Sequence, residues 1–333
     1  MDASSAGLAG FREVNLHCAG REDPRAHANA VEEAVRGLLD PAPDLLVVQG
    51  DTSSALGAAR AGFACGVAVG HVEAGLRTHD LARPWPEEGN RIEIDARAEL
   101  LFAPTSIAAQ NLAAEAAGGE IHITGNTAID AVLDAARQLP VPRPRDSGIA
   151  RLLVTCHRRE SWGAALSSIA AALSDLAEHP NITIDVVLHP NAFVAERMGH
   201  LLGGIQRICL LPPCTHLELL QRMQEADLVL SDSGGIQEEA PALGVPLLVL
   251  REKTERPEGI ASGCARLVGT SREAIVDETL CLLRNPIERA RMSKPSFPYG
   301  DGRAGARIGS IIVEWLRQRG CGVQPAALRA GGW

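Results

Sequence analysis

Three carboxylates in the first half of the chain directly follow apolar segments. Asp51 comes after LLVVQG, Glu73 comes after VAVGHV, and Glu87 opens a predicted helix, Glu87 to Leu100. Partial burial at such positions can raise a carboxyl pKa toward neutrality, and abstracting and returning a proton needs a base and an acid. The pattern indicates acid/base chemistry. The alternatives are a helix cap for Asp51, a surface charge for Glu73 and first-turn dipole pairing for Glu87.

The stretch Ala226 to Leu250 reads as a buried strand, a polar loop, a short helix and a second buried strand. Three small residues stand where the loop becomes the helix: Ser233, Gly234 and Gly235. Free backbone N–H groups at a helix start attract anions, and glycine lets an anion approach the backbone. Glu238 and Glu239 follow one turn later and suit hydroxyl groups, such as those of a ribose. We therefore predict a nucleotide cradle, with an ordinary β–α turn as the alternative.

Further cationic residues follow strands in the second half of the chain. His157 and Arg158 come after RLLVT, where arginine can grip a phosphate and histidine can donate to a leaving phosphate oxygen. Arg256 comes after PLLVL and can close over the same anion. His189, in the segment HPN, fits a structural role as well as a ligand contact. A solvated charge run is the alternative for the arginines.

Strands alternate with helices twice along the chain, on either side of a Pro-rich linker (LPVPRPRD, residues 139–146). This pattern predicts an α/β fold with two doubly wound, Rossmann-like domains that face one cleft. We expect the first domain at residues 1–140 and the second at 147–302. A closing helix, residues 303–319, is expected to pack back on the first domain, and residues 320–333 are expected to be a disordered tail.

Composition narrows the functional classes. The 333 residues are 46% hydrophobic, carry a net charge of −9 and contain no apolar run long enough for a membrane span. The acidic balance argues against nucleic acid as a partner. The first residues lack the pattern of a signal peptide, and the eight scattered cysteines are typical of reduced thiols, so we expect a cytoplasmic protein. No residues have metal-ligand spacing, and we expect neither a metal nor another cofactor.

Eight motifs together resemble the bacterial, non-hydrolysing UDP-N-acetylglucosamine 2-epimerases. In chain order they are QGDT (49–52), HVEAGLRT (71–78), PWPEEGNR (84–91), TGNTAIDA (124–131), HRRES (157–161), SDSGGIQEEAPALG (231–244), TERPEG (254–259) and PYGDG (298–302). They cover nearly the whole chain from about residue 43 to residue 307, and the set is specific although each motif alone is not.

The resemblance implies a fold like that of GT-B glycosyltransferases, with the active site in the interdomain cleft. It implies removal of the C2 proton of UDP-GlcNAc with expulsion of UDP, then re-addition of UDP and protonation of C2 from the other face, giving UDP-ManNAc. It also implies a homodimer. The motif matches imply that Asp51, Glu73 and Glu87 are the family's acid/base residues. They also imply that His157 assists the departure of UDP. The diphosphate and ribose contacts fall on Ser233, Gly234, Glu239 and Arg256.

The beginning of the sequence departs from the family pattern. Nothing matches the family's opening β-α-β unit with its GTRPE-like loop, so the first domain is expected to lack that unit and two cations that it brings to the site. This departure keeps a UDP-sugar-binding pseudoenzyme open as an alternative. A hydrolysing relative that releases ManNAc and UDP, and a glycosyltransferase on the same fold, are two further alternatives. A second departure is His216 or Leu219 where an aromatic residue is expected near the uracil.

Overall fold

The computed structural model describes residues 13–20, 23–140, 148–156 and 163–321. These ranges form two parallel β-sheets covered by helices, which confirms the predicted fold class. Within them, no helix combines the length and the apolar character needed to cross a bilayer. His157 and Arg158 lie outside the described residues.

The first sheet has four strands in the order β1-β2-β3-β4, and every neighbouring pair is parallel. Its strands are β1 (Leu46–Gln49), β2 (Val69–Val72), β3 (Leu100–Ala103) and β4 (Glu120–Ile123). The helices along this part of the chain are α1 (Pro24–Arg36), α2 (Ser53–Ala64), α3 (Glu87–Asp95), α4 (Ser106–Ala114) and α5 (Thr127–Gln138). Strands β2 and β3 are buried at every residue, which explains their apolar sequences. The helix predicted to reach Leu100 ends at Asp95, because Leu100 begins strand β3.

The second sheet has six strands in the order β10-β9-β8-β5-β6-β7. Its strands are β5 (Ala150–Thr155), β6 (Ile182–Val187), β7 (Ile208–Leu211), β8 (Leu228–Ser231), β9 (Leu247–Val249) and β10 (Ala265–Leu267). The helices along this part of the chain are α6 (Ala164–Ala177), α7 (Ala192–Leu202), α8 (His216–Glu225), α9 (Gly234–Leu243), α10 (Pro257–Ala261), α11 (Arg272–Arg284), α12 (Pro286–Met292) and α13 (Ala304–Gln318). The strand order reverses between β5 and β8, and ligands of doubly wound sheets bind outside the carboxyl ends of strands at such a point.

Helix α13 returns to the first sheet. Ile308 and Trp315 are buried against Val72, Leu100 and Phe102 of strands β2 and β3. The amphipathic sequence of α13 supplies this apolar stripe. The helix therefore covers one face of the first sheet, although it follows the second sheet in the chain.

Polar contacts join the two halves beside this helix. The Asn126 N–H donates to the Tyr299 carbonyl oxygen at 2.6 Å, and the Lys253 ammonium pairs with the Asp80 carboxylate at 2.9 Å. The phenol oxygen of the buried Tyr299 accepts from the Gly259 N–H at 2.8 Å and donates to the Arg256 carbonyl oxygen at 2.9 Å. The contacts of Asn126 and Lys253 connect the two halves, and the phenol contacts hold Tyr299 to the segment that follows β9.

Candidate active site

A cleft of about 880 Å³ lies where the strand ends of the two sheets meet. Residues from both halves line it. From the first half these include Gln49, Gly50, Asp51, Thr52, Glu73, Trp85, Glu87 and Asn90, and from the second half Ser233, Gly234, Gly235, Glu255 and Arg256. The structure thus brings the three predicted acids and the predicted anion cradle to a single cavity.

Asp51 follows β1 and faces a buried arginine. Thr52, rather than Asp51, caps helix α2, because the Thr52 hydroxyl accepts from the Ala55 N–H at 3.1 Å. The helix-cap interpretation of Asp51 is therefore wrong. Its carboxylate pairs with Nη2 of Arg91, whose side chain is 1% exposed. The ion pair leaves Asp51 at the cleft wall in a defined orientation.

Glu73 occupies the turn after β2 in a backbone conformation that is unusual for a glutamate. Its φ is +71°, in the left-handed region, and its N–H donates to the Phe102 carbonyl oxygen at 3.1 Å. Such conformations are uncommon outside glycine and cluster at functional sites. The side chain is only 17% exposed, so the surface-charge interpretation is wrong. Burial raises the pKa of Glu73, and the Arg256 guanidinium partly opposes that rise.

A buried histidine ties the loops of Asp51 and Glu73 together. His71 is fully buried, and its two ring nitrogens face the Gly50 carbonyl oxygen at 2.9 Å and the Asp95 carboxylate at 2.6 Å. Asp95 also pairs with Arg77 at 2.8 Å. The buried imidazole therefore links the turn after β1 to the turn after β2.

The start of α3 carries two glutamates with different surroundings. Glu87 lies in the first turn and lines the cleft, a position that fits both the catalytic and the helix-dipole interpretations. Glu88 is fully buried, accepts from the N–H groups of Thr78 and His79 at 2.9 Å each, and pairs with Arg91 Nη1 at 3.2 Å. Glu88 and Arg91 thus fix the loop that presents Glu87. Both residues belong to the motif PWPEEGNR, but the motif alone does not indicate this supporting role.

The predicted anion cradle lies at the start of α9, beside the reversal point of the second sheet. Ser233 is the N-cap residue, and in the described structure its side chain makes no capping hydrogen bond. Its N–H donates to the Ser231 hydroxyl at 3.0 Å. A methyl group on Gly235 would lie 3.8 Å from Oε1 of Glu239 and 3.9 Å from the Ser233 hydroxyl. Glycine keeps this gap open in front of the helix dipole.

A smaller pocket of about 210 Å³ continues from the cradle past the end of β5. His189, His216, Leu219 and Glu239 line it. Nε2 of His216 lies 2.9 Å from Oε1 of Glu239, and this hydrogen bond raises the pKa of His216. Nδ1 of His189 accepts from the Asn191 N–H at 3.1 Å. The pocket places one carboxylate and two imidazoles beside the helix start.

Arg256 lies between the two halves and contacts a carboxylate with each of its three side-chain nitrogens. Nε donates to Glu238 at 2.5 Å, Nη2 donates to Glu73 at 3.0 Å, and Nη1 donates to Glu255. Burial raises the pKa of Glu238 to about 7, against the opposing pull of Arg256. Arg256 was predicted to contact a diphosphate. In this structure its guanidinium instead hydrogen-bonds to the carboxylates of Glu73, Glu238 and Glu255.

Glu238 does not face the cradle, although its position one turn into α9 predicted that it would. It is 2% exposed, and its Oε2 accepts from the Asn126 side-chain amide at 2.6 Å. Its neighbour Glu239 faces the small pocket instead. The side chains of Glu238 and Asn126, with the Tyr299 carbonyl oxygen that accepts from the Asn126 N–H, form a polar connection between the halves that local sequence patterns do not reveal.

Two Rossmann-like sheets facing one cleft, with acids on one side and a helix start on the other, define a GT-B-like α/β protein. The chain belongs to the UDP-N-acetylglucosamine 2-epimerase family, whose model matches residues 12–313. This confirms the resemblance seen in the sequence motifs.

Relatives and solved structures support the same family. The chain is 44% identical over 279 residues to the UDP-N-acetylglucosamine 2-epimerase of Escherichia coli K12, covering 80% of this chain and 74% of that protein. It is similar to the crystal structure of UDP-GlcNAc 2-epimerase from Neisseria meningitidis bound to UDP-GlcNAc, with TM-score 0.85 and 34% identity, covering 89% of this chain and 83% of the other. A Methanocaldococcus jannaschii UDP-GlcNAc 2-epimerase in complex with UDP-GlcNAc and UDP gives TM-score 0.77 and 30% identity, covering 89% and 83%.

Proposed function

We propose that this chain interconverts UDP-GlcNAc and UDP-ManNAc by inverting C2 of the sugar. The observation that carries the proposal is the placement of Asp51, Glu73 and Glu87 in the same cleft as the start of α9. Membership in the epimerase family supplies the substrate and the reaction class. The cleft is large enough for a nucleotide sugar, since ligand pockets commonly span about 300–1,000 Å³.

In the proposed reaction a base removes the proton from C2 and the electron pair forms a C1=C2 double bond. The C1–O bond breaks, and its electron pair leaves with UDP, giving bound 2-acetamidoglucal. UDP then adds back at C1 while an acid protonates C2 from the opposite face. Carboxylates on the cleft wall of the first half can supply both proton-transfer groups. Asp51, Glu73 and Glu87 are the proposed groups.

The second half holds the leaving group in this proposal. The open N–H groups at the start of α9, with Ser233, Gly234 and Gly235, stabilise the diphosphate. Glu239 accepts hydrogen bonds from the ribose hydroxyls, and His189 lies beside it in the small pocket. His157 and Arg158 are assigned to the departing UDP on the strength of the HRRES motif. Arg256 contacts the diphosphate only after its hydrogen bonds to Glu73, Glu238 and Glu255 have changed.

The experiment is solvent exchange in heavy water. UDP-GlcNAc incubated with the full chain should gain deuterium at C2, and mass spectrometry or proton NMR measures the gain. Asp51→Asn, Glu73→Gln and Glu87→Gln should each slow exchange by about 100-fold or more, the usual range for a lost acid/base group, and leave UDP binding largely intact. The exposed Glu273 on α11 provides the control, since Glu273→Gln should exchange at the wild-type rate. An unchanged rate in any acid variant removes that residue from the mechanism.

Product analysis separates the proposal from the hydrolysing alternative. UDP-ManNAc that persists in equilibrium with UDP-GlcNAc supports the reversible epimerase. Accumulation of free UDP and ManNAc contradicts it and indicates hydrolysis.

The setting of the enzyme is part of the same proposal. We divide the chain into domains at residues 1–140 and 147–302, with α13 returning to the first domain, as its packing on β2 and β3 supports. All eight cysteines are free thiols, which fits a reducing, cytoplasmic compartment. The proposed assembly is a homodimer. Light scattering of the purified chain tests it, and a monomer mass contradicts it.

A further inference from the structure

Arg256, which lines the cleft, binds carboxylates in an unusual way through the side of its guanidinium that carries Nε and Nη2. The Nε–H and one Nη2–H of a guanidinium are parallel, so this edge matches the two oxygens of one carboxylate. Among the described residues, three other arginines use the edge in that way. They are Arg60 with Glu93, Arg77 with Glu115 and Arg272 with Asp175, each with both N···O distances between 2.5 and 2.8 Å.

At Arg256 the same edge is shared by two carboxylates, one from each half of the chain. Nε donates to Oε1 of Glu238 and Nη2 donates to Oε1 of Glu73. The two acceptor oxygens therefore contact neighbouring nitrogens of one guanidinium. Adjacent carboxylates of like charge cannot both stay ionised in a buried site, and such pairs hold one proton.

The surroundings of the pair favour retention of that proton. Asp51 adds negative charge near Glu73, while Arg91 and His71 oppose it. Glu239 adds negative charge near Glu238. Glu255 accepts a hydrogen bond from Nη1 of Arg256, which compensates part of the positive charge of Arg256, and it also pairs with Arg251. The Asn126 side-chain amide donates to Glu238, and the Tyr299 hydroxyl donates to the Arg256 carbonyl oxygen. Burial raises the pKa of both carboxyl groups, which agrees with the geometry.

We propose that Glu73 and Glu238 share one proton on the Nε–Nη2 edge of Arg256, and that Glu238 thereby sets the charge of Glu73. The proton belongs to the pair rather than to either residue. Glu238 is a positioning residue that acts through Glu73, and the catalytic consequence rests on the role proposed for Glu73 above. Because the pair bridges the two halves, the charge of Glu73 depends on their being held together.

The first test observes the proton directly and needs no turnover. Infrared difference spectra of the full chain near neutral pH, without substrate, should show the C=O stretching band of a buried protonated carboxyl group. Glu238→Gln should abolish this band, and Glu73→Gln, which leaves the bond of Asn126 to Glu238 in place, should abolish it independently. Glu93→Gln is the matched control, because Glu93 occupies the same edge of Arg60 alone and its removal should leave the band intact.

The second test is the pH profile of C2 exchange. In Glu238→Gln the Arg256 edge serves Glu73 alone, so the Glu73 pKa should fall. Whether Glu73 acts as base or acid, the limb of the profile that it governs should move to lower pH, and Glu93→Gln should not move it. A merely structural loss would lower the rate without moving the limb.

The outcomes distinguish the shared proton of Glu73 and Glu238 from the proposed C2 epimerisation. A band that is absent from the wild-type chain, or that survives in Glu238→Gln, overturns the shared proton even when exchange is rapid. A band that both variants abolish supports the shared proton even in a chain that does not exchange C2, in which case only the proposed function fails.

Discussion

The buried Asp95 carboxylate serves three partners beneath the cleft, and replacing Asp95 with asparagine should strongly destabilise the first half of the chain. The carboxylate is 1% exposed. It accepts from His71 Nδ1 at 2.6 Å, from Arg77 Nη2 at 2.8 Å and from the Gly75 N–H at 3.1 Å. An asparagine side chain at this position would keep one acceptor oxygen and would turn an amide donor toward a second donor.

The magnitude follows from the buried partners of Asp95. Arg77 keeps Glu115 at 2.7 Å, but the His71 ring loses the only carboxylate to which it hydrogen-bonds in the described structure. Breaking a buried ion pair from one side costs about 3–5 kcal/mol. We therefore expect Asp95→Asn to lower the free energy of unfolding by at least about 3 kcal/mol, a large share of the usual 5–15 kcal/mol. The link from His71 to Gly50 should loosen as well, so C2 exchange should slow.

Urea unfolding followed by circular dichroism measures this loss. The pKa of Asp95 is lowered by its hydrogen bond and ion pair with His71 and by Arg77, against the cost of burial. Its contribution to stability is therefore present above the unfolded pKa of about 3.9 and is lost as the pH falls through the lower folded value. The difference between wild type and variant should be constant near neutral pH and shrink below about pH 4.

The control is Asp277→Asn at an exposed position of α11, which should change stability by less than about 0.5 kcal/mol. A loss below about 1 kcal/mol for Asp95→Asn would refute the view that the carboxylate holds the buried Arg77 and His71 side chains in place.

Two further predictions concern Gly75 and His216. Gly75 has φ +84°, and a methyl group there would lie 2.3 Å from the Ala108 carbonyl oxygen, so Gly75→Ala should cost about 2–5 kcal/mol by thermal unfolding. Gly89→Ala, with nothing within 4 Å of the new methyl, is the control, and equal melting temperatures for the two variants would contradict the steric argument. The raised pKa of His216 means that its charged pairing with Glu239 is complete below the unfolded pKa of about 6.5 and is lost as the pH rises through the folded value. UDP affinity measured by calorimetry should therefore weaken with rising pH less steeply in His216→Gln than in wild type, and parallel slopes would remove His216 from nucleotide binding.

The fold was predictable because its signals are local and repeated. Apolar runs followed by small polar turns mark the ends of parallel strands, and those ends meet at one edge of a sheet. These patterns alone place Asp51, Glu73 and the start of α9 at one cleft. They also identify Ser233 as the turn into the helix, because Gly234 and Gly235 follow it.

Pairings between distant side chains were not predictable in the same way. Glu238 and Glu239 are adjacent in sequence, but successive helix residues point in directions about 100° apart. One therefore reaches Arg256 and the other reaches His216. Choosing between them requires the orientation of α9 relative to the first sheet.

The supporting residues of the acids were hidden for a related reason. Arg91 pairs with Asp51 forty positions earlier in the chain, and Asn126 contacts Glu238 112 positions later. The left-handed backbone of Glu73 has no sequence signal, since glutamate rarely adopts it. Such features depend on tertiary structure and become visible only when both sheets are in place.

Solvent exchange at C2 tests the central claim most directly. In heavy water the full chain should convert UDP-GlcNAc to a mixture with UDP-ManNAc, and both sugars should carry deuterium at C2. UDP that binds with no deuterium at C2 of either sugar would contradict the assignment of acid/base chemistry to Asp51, Glu73 and Glu87, and would leave the cleft as a nucleotide-sugar binding site alone.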